Sequence, residues 1–202
     1  MGFYDDEENV EAYVQMAEGY DGRELVDVLK KHLPSGSSVL ELGMGPGKDL
    51  ALLAEAYDAT GSDSSEVFLR RYRRDHPDAD LLLLDAVTLA TERRFDAIYS
   101  NKVLHHLSVD ELRTSLRRQA ARLNGNGLVL HSFWYGEGTE ESHGLRFTYH
   151  TDASLRAVVG PEFRWVACVR YTEMEEGDSL YLLMRRSSNS GSSPVRQGGW
   201  DL

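Results

Sequence analysis

Val39-Leu40-Glu41-Leu42-Gly43-Met44-Gly45-Pro46-Gly47 indicates the fold most clearly, because a short apolar run passes directly into a glycine-rich turn. Glycine at alternate positions permits positive φ angles and lets the backbone approach a ligand closely. The residues after Gly47 have helical periodicity, so the turn opens a helix whose N-terminal amides can receive an anion. The sequence therefore predicts a strand, a ligand-binding turn and a helix, in that order.

The same alternation continues along the chain. Short apolar runs alternate with stretches of helical periodicity, which is typical of a parallel, doubly wound α/β sheet. The run 81–84 is apolar throughout, as in a strand that helices cover on both faces, so we expect it to be buried on both faces. The predicted strands lie at 39–42, 59–61, 81–84, 97–99 and 128–130, and the predicted helices at about 47–56, 65–74 and 109–123.

The two ends of the chain differ from this pattern. Residues 9–32 are predicted to form two helical segments ahead of the core. After a helix at about 152–159, two apolar runs at 163–169 and 179–184 flank an acidic connection, which predicts an antiparallel hairpin at one edge of the sheet. We expect one domain over residues 1–186, with 1–33 as its helical N-terminal part, and a disordered tail over the polar residues 187–202.

Composition limits the possible partners. The net charge of −11 disfavours nucleic acid as a substrate, because phosphate binding depends on Lys and Arg. The basic run 70–74 falls in a predicted helix, so its charges are expected to spread over a solvated face. No apolar run is long enough for a membrane helix and the start is acidic, so we expect a cytoplasmic protein that does not enter a membrane. The single cysteine, Cys168, excludes an internal disulfide and is expected to lie in the core.

Two common ligands of a glycine-rich turn do not fit this one. A nucleoside triphosphate loop requires glycine where Leu42 stands and a hydroxyl where Asp49 stands. A dinucleotide turn requires a third glycine at position 48, which is Lys. Glu41 would also repel a pyrophosphate, whereas it would attract a ligand that carries an ammonium and a sulfonium.

These residues resemble the first motif of the class I, Rossmann-like, S-adenosylmethionine-dependent methyltransferases, and further motifs of that family follow in order. They are Thr60-Gly61-Ser62-Asp63-Ser64-Ser65, then Leu84-Asp85-Ala86, then the run from Phe95 to Leu107, then Leu123-Asn124-Gly125-Asn126-Gly127. The resemblance covers about residues 9–186. It implies a mostly parallel, seven-stranded sheet with an antiparallel C-terminal hairpin, S-adenosyl-L-methionine as cofactor, and an N-terminal helical lid.

The resemblance also implies site residues. Asp63, with Ser64 beside it, would accept hydrogen bonds from the ribose hydroxyls, and Asp85 with the amide of Ala86 would hold the adenine. The strand end at Asn101 would lie beside the transferred methyl. The expected cofactor-binding set is Glu41, Gly43, Gly45, Gly47, Asp63, Ser64, Asp85, Ala86, Asn101 and Tyr20.

Several of these residues also have simpler interpretations. Asp63 could cap the helix that follows it, and Tyr20 could be ordinary helix packing rather than a lid contact. His105 and His106 are candidates for a general base, although a His-His-Leu string does not by itself argue catalysis. Adjacent histidines on a helix diverge, and the other histidines lack ligand spacing, so no metal site is expected.

The expected reaction is direct in-line transfer of a methyl group to a small-molecule acceptor, whose identity the sequence does not specify. Because the methyl group is already activated, the protein mainly supplies positioning and desolvation. Aromatic and polar residues at 131–138 and 146–150 are expected to contribute to an acceptor pocket at the sheet edge. A non-catalytic S-adenosylmethionine binder is the alternative, and a tRNA or protein methyltransferase is less expected.

Overall fold

The structure is a computed structural model that describes residues 3–142 and 144–188, so most of the expected tail lies outside the described residues. Within those ranges no helix has the length and apolar character needed to cross a bilayer. The helices are α1 Glu7–Met16, α2 Arg23–Lys30, α3 Lys48–Ala54, α4 Glu66–Asp75, α5 Val109–Arg122 and α6 Asp152–Val158. The strands are β1 Ser38–Leu42, β2 Asp58–Asp63, β3 Leu81–Leu83, β4 Phe95–Asn101, β5 Leu123–Trp134, β6 Thr139–Ser142, β7 Leu145–Thr148, β8 Phe163–Tyr171 and β9 Ser179–Arg186.

Seven of these strands form one sheet in the order β3-β2-β1-β4-β5-β9-β8. Strands β1 to β5 are parallel, while β9 pairs antiparallel with both β5 and β8. This is the doubly wound, mostly parallel sheet with an antiparallel C-terminal hairpin that the sequence predicts. The strand order reverses beside β1, between β1 and β4, and ligands of open α/β sheets bind at such a point.

Side-chain alternation along the strands divides the core into two layers. In β1, Leu40 and Leu42 pack on the face that α5 and α6 cover, whereas Val39 packs on the face that α2 and α3 cover. In β4, Ile98 and Tyr99 divide between the faces in the same way. Successive residues of a strand point to opposite faces, so a central strand must be apolar on both. Glu41 therefore occupies an inward position at the carboxyl end of β1.

The prediction of burial on both faces is wrong for β3. Leu83 is 64% exposed and Leu81 and Leu82 are half-buried, in a strand that forms the edge of the sheet. A buried central strand and an apolar edge strand have the same local pattern, so periodicity alone does not distinguish them.

A second hairpin, β6 with β7, was not predicted. Its strands pair antiparallel outside the main sheet, and β7 packs against the short 3₁₀ helix Leu104–His106. The strand residues are mostly polar, which hides a strand of four residues from a search for apolar runs. This hairpin forms one wall of the cavity at the carboxyl ends of the central strands.

Candidate active site

A cavity of about 220 Å³ opens at the carboxyl ends of β1 and β4. Its walls come from the glycine-rich turn, the N-terminal helices, the end of β4, the β6–β7 hairpin and the loop between β8 and β9. Of the residues predicted as site residues, the cavity wall includes Tyr20, Glu41, Gly43, Gly45, Asn101, His105 and His106. Gly47, Asp63, Ser64, Asp85 and Ala86 lie outside that wall.

The glycine-rich turn has the backbone that the sequence predicts. Gly43, Gly45 and Gly47 all have positive φ angles, of 66°, 49° and 83°. The amide of Gly45 donates to Asp63 Oδ2 at 2.9 Å, and the amide of Ser65 donates to Asp63 Oδ1 at 2.8 Å. Asp63 therefore ties the turn to the end of β2. Burial raises the pKa of its carboxyl, and these backbone hydrogen bonds oppose that rise.

Glu41 is a buried acidic residue on the cavity wall. It is 3% exposed, and its Oε2 is buried without a hydrogen-bond partner among the described residues. Burial, reinforced by the nearby carboxylates of Asp49 and Asp63, raises the pKa of Glu41 well above its usual range. An unpaired buried carboxylate is costly, so a cationic or hydrogen-bond-donating ligand would be attracted to it.

Asp49, in the first turn of α3, connects several parts of the site. Its Oδ2 accepts from the hydroxyl of Tyr99 at 2.7 Å and from Nδ2 of Asn101 at 3.1 Å, and its Oδ1 accepts from the amide of Gly22 at 2.6 Å. Oδ1 of Asn101 in turn accepts from Ser132 Oγ. Asp49 thus joins the start of α2, the helix of the glycine turn and the ends of β4 and β5.

The residues predicted to hold an adenine lie after β3. Asp85 is exposed and its carboxylate accepts from the amide of Thr88 at 2.8 Å, which is a local turn. The carbonyl of Ala86 accepts from Ser115 Oγ at 2.6 Å, so α5 holds this loop in place. Ser64 is exposed at the end of β2.

The N-terminal segment covers the glycine-turn side of the cavity. Lys48 Nζ donates to the carbonyl of Ala17 at 2.6 Å, and Ser65 Oγ donates to the carbonyl of Tyr4. Tyr4 and Tyr13 pack edge-to-face at 5.3 Å beside Phe68. Asp63 lies close enough to raise the pKa of both tyrosine hydroxyls. Tyr4 and Tyr13 line the cavity, whereas Asp63 is buried and lies outside its wall.

The two adjacent histidines differ in environment. His105 is 2% exposed, and neither of its ring nitrogens has a partner among the described residues. Burial, with a smaller contribution from His106, Lys102 and His150, holds the pKa of His105 well below its usual value, so the ring is neutral. Nδ1 of His106 lies 2.7 Å from the carbonyl oxygen of Arg146 in β7. A carbonyl only accepts, so Nδ1 carries the proton and Nε2 of the neutral ring holds the lone pair.

Lys102 and Glu173 form a half-buried ion pair on the cavity wall. Lys102 Nζ lies 2.6 Å from Glu173 Oε2 and 2.7 Å from Ser179 Oγ. It also lies 3.6 Å from the ring centroid of Trp134, a cation–π contact. Burial lowers the pKa of Lys102, and Glu173 opposes that change. Lys102 has a φ of 54°, a strained angle for a non-glycine residue.

Sequence reasoning missed three residues of this site. In the sequence, Asp49 argues only against a nucleoside triphosphate loop. Lys102 lies within one of the family's motifs but has no predicted role there. Glu173 stood in an acidic connection that looks like an ordinary exposed turn. Trp134 and Phe147 fall inside the stretches predicted to form an acceptor pocket, and the structure places both on the cavity wall. Among the described residues, no three His, Cys, Asp or Glu side chains cluster as metal ligands would.

A family model described as a methyltransferase domain matches residues 39–127. The match begins in β1 and ends in β5, so it contains the glycine-rich turn and the strand ends that surround the cavity. The N-terminal helices, the β6–β7 hairpin and the C-terminal strands lie outside it.

Two curated relatives are similar to part of the chain. One is tRNA (carboxymethyluridine(34)-5-O)-methyltransferase of Arabidopsis thaliana, 32% identical over 131 residues, which are 64% of this chain and 32% of the relative. The other is dTDP-3-amino-3,6-dideoxy-alpha-D-glucopyranose N,N-dimethyltransferase of Streptomyces fradiae, 29% identical over 118 residues, which are 57% of this chain and 46% of the relative. The chain thus spans less than half the length of either relative.

A solved structure resembles the whole fold. It is the 1,6-didemethyltoxoflavin-N1-methyltransferase of Burkholderia thailandensis with bound 1,6-didemethyltoxoflavin and S-adenosylhomocysteine. The TM-score is 0.73 at 23% sequence identity, with 88% of this chain and 83% of that chain covered. At this identity the likeness establishes the fold.

Proposed function

Since this chain belongs to the class I, Rossmann-like family of S-adenosylmethionine-dependent methyltransferases, we propose that it transfers a methyl group from S-adenosylmethionine to a small-molecule acceptor in the cavity at the ends of β1 and β4. The glycine turn, Glu41 and Asp63 would hold the cofactor. The end of β4 and the loop between β8 and β9 would face the acceptor.

Glu41 is the observation that supports this proposal most directly. Its buried, unpaired carboxylate lies in the same cavity as two glycines with positive φ. Such a turn admits a nucleoside closely, and the carboxylate selects a ligand with positive charge rather than a pyrophosphate. S-adenosylmethionine combines a nucleoside with an ammonium and a sulfonium. The residues that are present therefore fit this cofactor.

When bound, S-adenosylmethionine supplies an activated methyl group on a cationic sulfur. The task of the chain is then to position the acceptor, to exclude water and to accept hydrogen bonds from the acceptor. Asp49 orients Asn101 at the end of β4 through its hydrogen bond to Nδ2. His106, with Nδ1 protonated against Arg146, offers Nε2 as a hydrogen-bond acceptor on the cavity wall.

A small molecule is the preferred acceptor because of charge. The net charge of −11 opposes a polyanion such as a nucleic acid. The first curated relative acts on tRNA by its name and the second on an amino sugar, so both kinds of acceptor occur among similar proteins. A non-catalytic S-adenosylmethionine binder remains the competing function, since an intact cofactor site does not require turnover.

Calorimetry with S-adenosylmethionine tests the cofactor site. We expect Asp63→Asn to weaken binding by about tenfold or more, because an amide loses charge-assisted hydrogen bonds to ribose hydroxyls. Asp58→Asn, at the exposed start of the same strand, is the matched control and should bind like the wild type. Equal affinity in Asp63→Asn and the wild type would refute the role of Asp63, and micromolar binding of NAD would refute the choice of cofactor.

Turnover is tested separately with metabolite extracts. We expect S-adenosylhomocysteine to be released from S-adenosylmethionine when the extract contains the acceptor. Binding of the cofactor without release in any extract would favour the non-catalytic binder.

A further inference from the structure

The side chains at the acceptor end of the cavity indicate which chemical class of acceptor could bind there. Its wall includes Lys102 at the end of β4, Trp134 at the end of β5, Phe147 of β7, and Glu173 in the loop between β8 and β9. Phe147 stacks on His105 with ring centroids 5.3 Å apart. Any assignment of an acceptor class rests on the proposed methyl transfer in this cavity.

The cations of the wall already have partners. Among the described residues, the wall contains two of them, Lys48 and Lys102. Lys102 is paired with Glu173 and Ser179, and Lys48 donates to the carbonyl of Ala17. An acceptor with a free carboxylate or phosphate would need a cation of its own, because burying an unpaired anion is costly. The site is therefore a poor match for an acidic acceptor.

The wall offers hydrogen-bond acceptors instead. Oε2 of Glu173 binds Lys102 and the hydroxyl of Tyr171, which leaves Oε1 without a partner among the described residues. Nε2 of His106 is the lone-pair nitrogen of its ring, because Nδ1 donates to the carbonyl of Arg146. His105, buried and unpartnered, adds one donor and one acceptor. These groups would bind a ligand that donates hydrogen bonds.

The two histidines of this wall are not strong bases. Burial lowers the pKa of His105 and that of His106, so both imidazoles are weaker bases than a free one. An alcohol becomes a good nucleophile only after it loses a proton, which a weak base does not achieve. An uncharged amine already has a lone pair and needs no such step. Of the hydrogen-bond donors, an amine thus fits these groups better than an alcohol does.

Part of the cavity wall consists of exposed side chains with apolar surface. Met16, Tyr20 and Met174 line it with 68%, 46% and 60% of their surfaces exposed, and they are among the few large apolar side chains exposed in the described residues. Exposed apolar side chains that gather at one opening indicate a contact surface for a ligand. An acceptor with an apolar or aromatic body would cover them.

We propose that the methyl acceptor is a small primary or secondary amine on an apolar or aromatic body, held by a hydrogen bond from its nitrogen to Oε1 of Glu173. The nitrogen lone pair attacks the methyl carbon. A carbon–nitrogen bond forms while the carbon–sulfur bond breaks, and the sulfur leaves as a neutral thioether. The positive charge moves to nitrogen, which then releases one proton to solvent.

A matched panel of compounds tests this class. Each apolar scaffold is supplied as its amine, its alcohol and its carboxylic acid, for example benzylamine, benzyl alcohol and benzoate. The full chain and S-adenosylmethionine are incubated with each compound, and release of S-adenosylhomocysteine is measured, together with binding of each compound to protein loaded with S-adenosylhomocysteine. We expect the amines to bind at least about tenfold more tightly than their counterparts, as a site built for N–H donors should. Release, where it occurs, should be confined to the amines.

The pH profile and a pair of variants locate the interaction. For amines that are turned over, kcat/KM should rise with pH up to the pKa of each amine, because only the uncharged form has a lone pair. Glu173→Gln should weaken amine binding about tenfold while affinity for S-adenosylhomocysteine is unchanged. Glu176→Gln, in the same loop and outside the cavity wall, is the matched control and should resemble the wild type.

The possible failures are distinguishable. Absence of S-adenosylmethionine binding would refute the proposed function itself. Intact cofactor binding with acids or alcohols bound as tightly as amines, or with no compound of the panel bound, would overturn the amine proposal alone. If both glutamine variants behave like the wild type, Glu173 does not hold the amine and the proposal fails at its central contact.

Discussion

Single side chains carry the cofactor assignment, and Glu41 is the most informative of them. The sequence places a carboxylate before the glycine turn, but it does not reveal that the carboxylate is buried without a partner. That fact depends on α3 and on the ends of β1 and β2, which bring Asp49 and Asp63 near it. The local pattern was sufficient to predict the type of ligand. The packing determines how far the pKa of Glu41 is raised.

The first prediction concerns the stability contributed by Glu41. The folded state raises the pKa of this acid, so ionisation destabilises the fold above the usual pKa of glutamate, and the penalty disappears as pH falls below it. Glu41→Gln should therefore increase the free energy of unfolding at pH 8 by on the order of 1 to 2 kcal/mol. At pH 4 the variant and the wild type should be equally stable.

The same variant should bind S-adenosylmethionine more weakly, and wild-type affinity should rise with pH as Glu41 ionises. Urea unfolding at the two pH values and calorimetry measure the two effects. Glu55→Gln, an exposed residue at the end of α3, is the control and should change neither. A variant that is less stable than the wild type at pH 8, or that binds the cofactor unchanged, would contradict this account.

At the scale of elements, the sequence predicts the helices and strands of the central sheet well, because each has its own periodicity. The boundaries of β5 differ, since this strand begins at Leu123 and includes the expected turn before it. The β6–β7 hairpin was missed because its strands are short and polar. A strand of that kind is held by pairing and by contact with its neighbours rather than by an apolar pattern.

The second prediction concerns the junction between α2 and α3. A Cβ at Gly22 would collide with the Asp49 carboxylate and with the Tyr99 hydroxyl, although the φ of −87° is acceptable for alanine. Gly22→Ala should lower the free energy of unfolding by on the order of 1 to 3 kcal/mol, since a packed junction must rearrange. It should also weaken cofactor binding, because Asp49 holds Asn101.

Chemical denaturation and calorimetry measure these effects. Gly125→Ala is the matched control, because its Cβ would meet no atom within 4 Å. Its stability should stay within about 0.5 kcal/mol of the wild type. Equal losses in the two variants would show that Gly22 is not constrained by Asp49 and Tyr99.

The charge of the whole molecule bears on the choice between a small-molecule acceptor and tRNA, the two kinds of acceptor that the relatives' names give. The chain carries 33 acidic and 22 basic side chains. In helix α4, Arg70 and Arg71 of the basic run pair with Glu7 and Glu11 of α1, which partly neutralises the charge of this stretch. Binding of tRNA depends on free cations, so this surface disfavours it.

The third prediction follows from that charge distribution. The full chain should not retain total tRNA in a filter-binding assay at about 50 mM salt, where phosphate contacts are strongest. A basic RNA-binding domain measured in parallel is the positive control. Retention that weakens as salt is added would contradict the preference for a small molecule and would favour the tRNA alternative.

The helices and strands of the central sheet and the glycine turn could be predicted from the sequence, because each is encoded in residues close together along the chain. The acceptor end of the cavity, in contrast, depends on contacts between residues far apart along the chain. Lys102 and Glu173 are separated by 71 residues, and the contact of His106 with Arg146 spans 40. No local spacing pairs such residues, since their meeting depends on how the sheet, the second hairpin and the β8–β9 loop pack against one another.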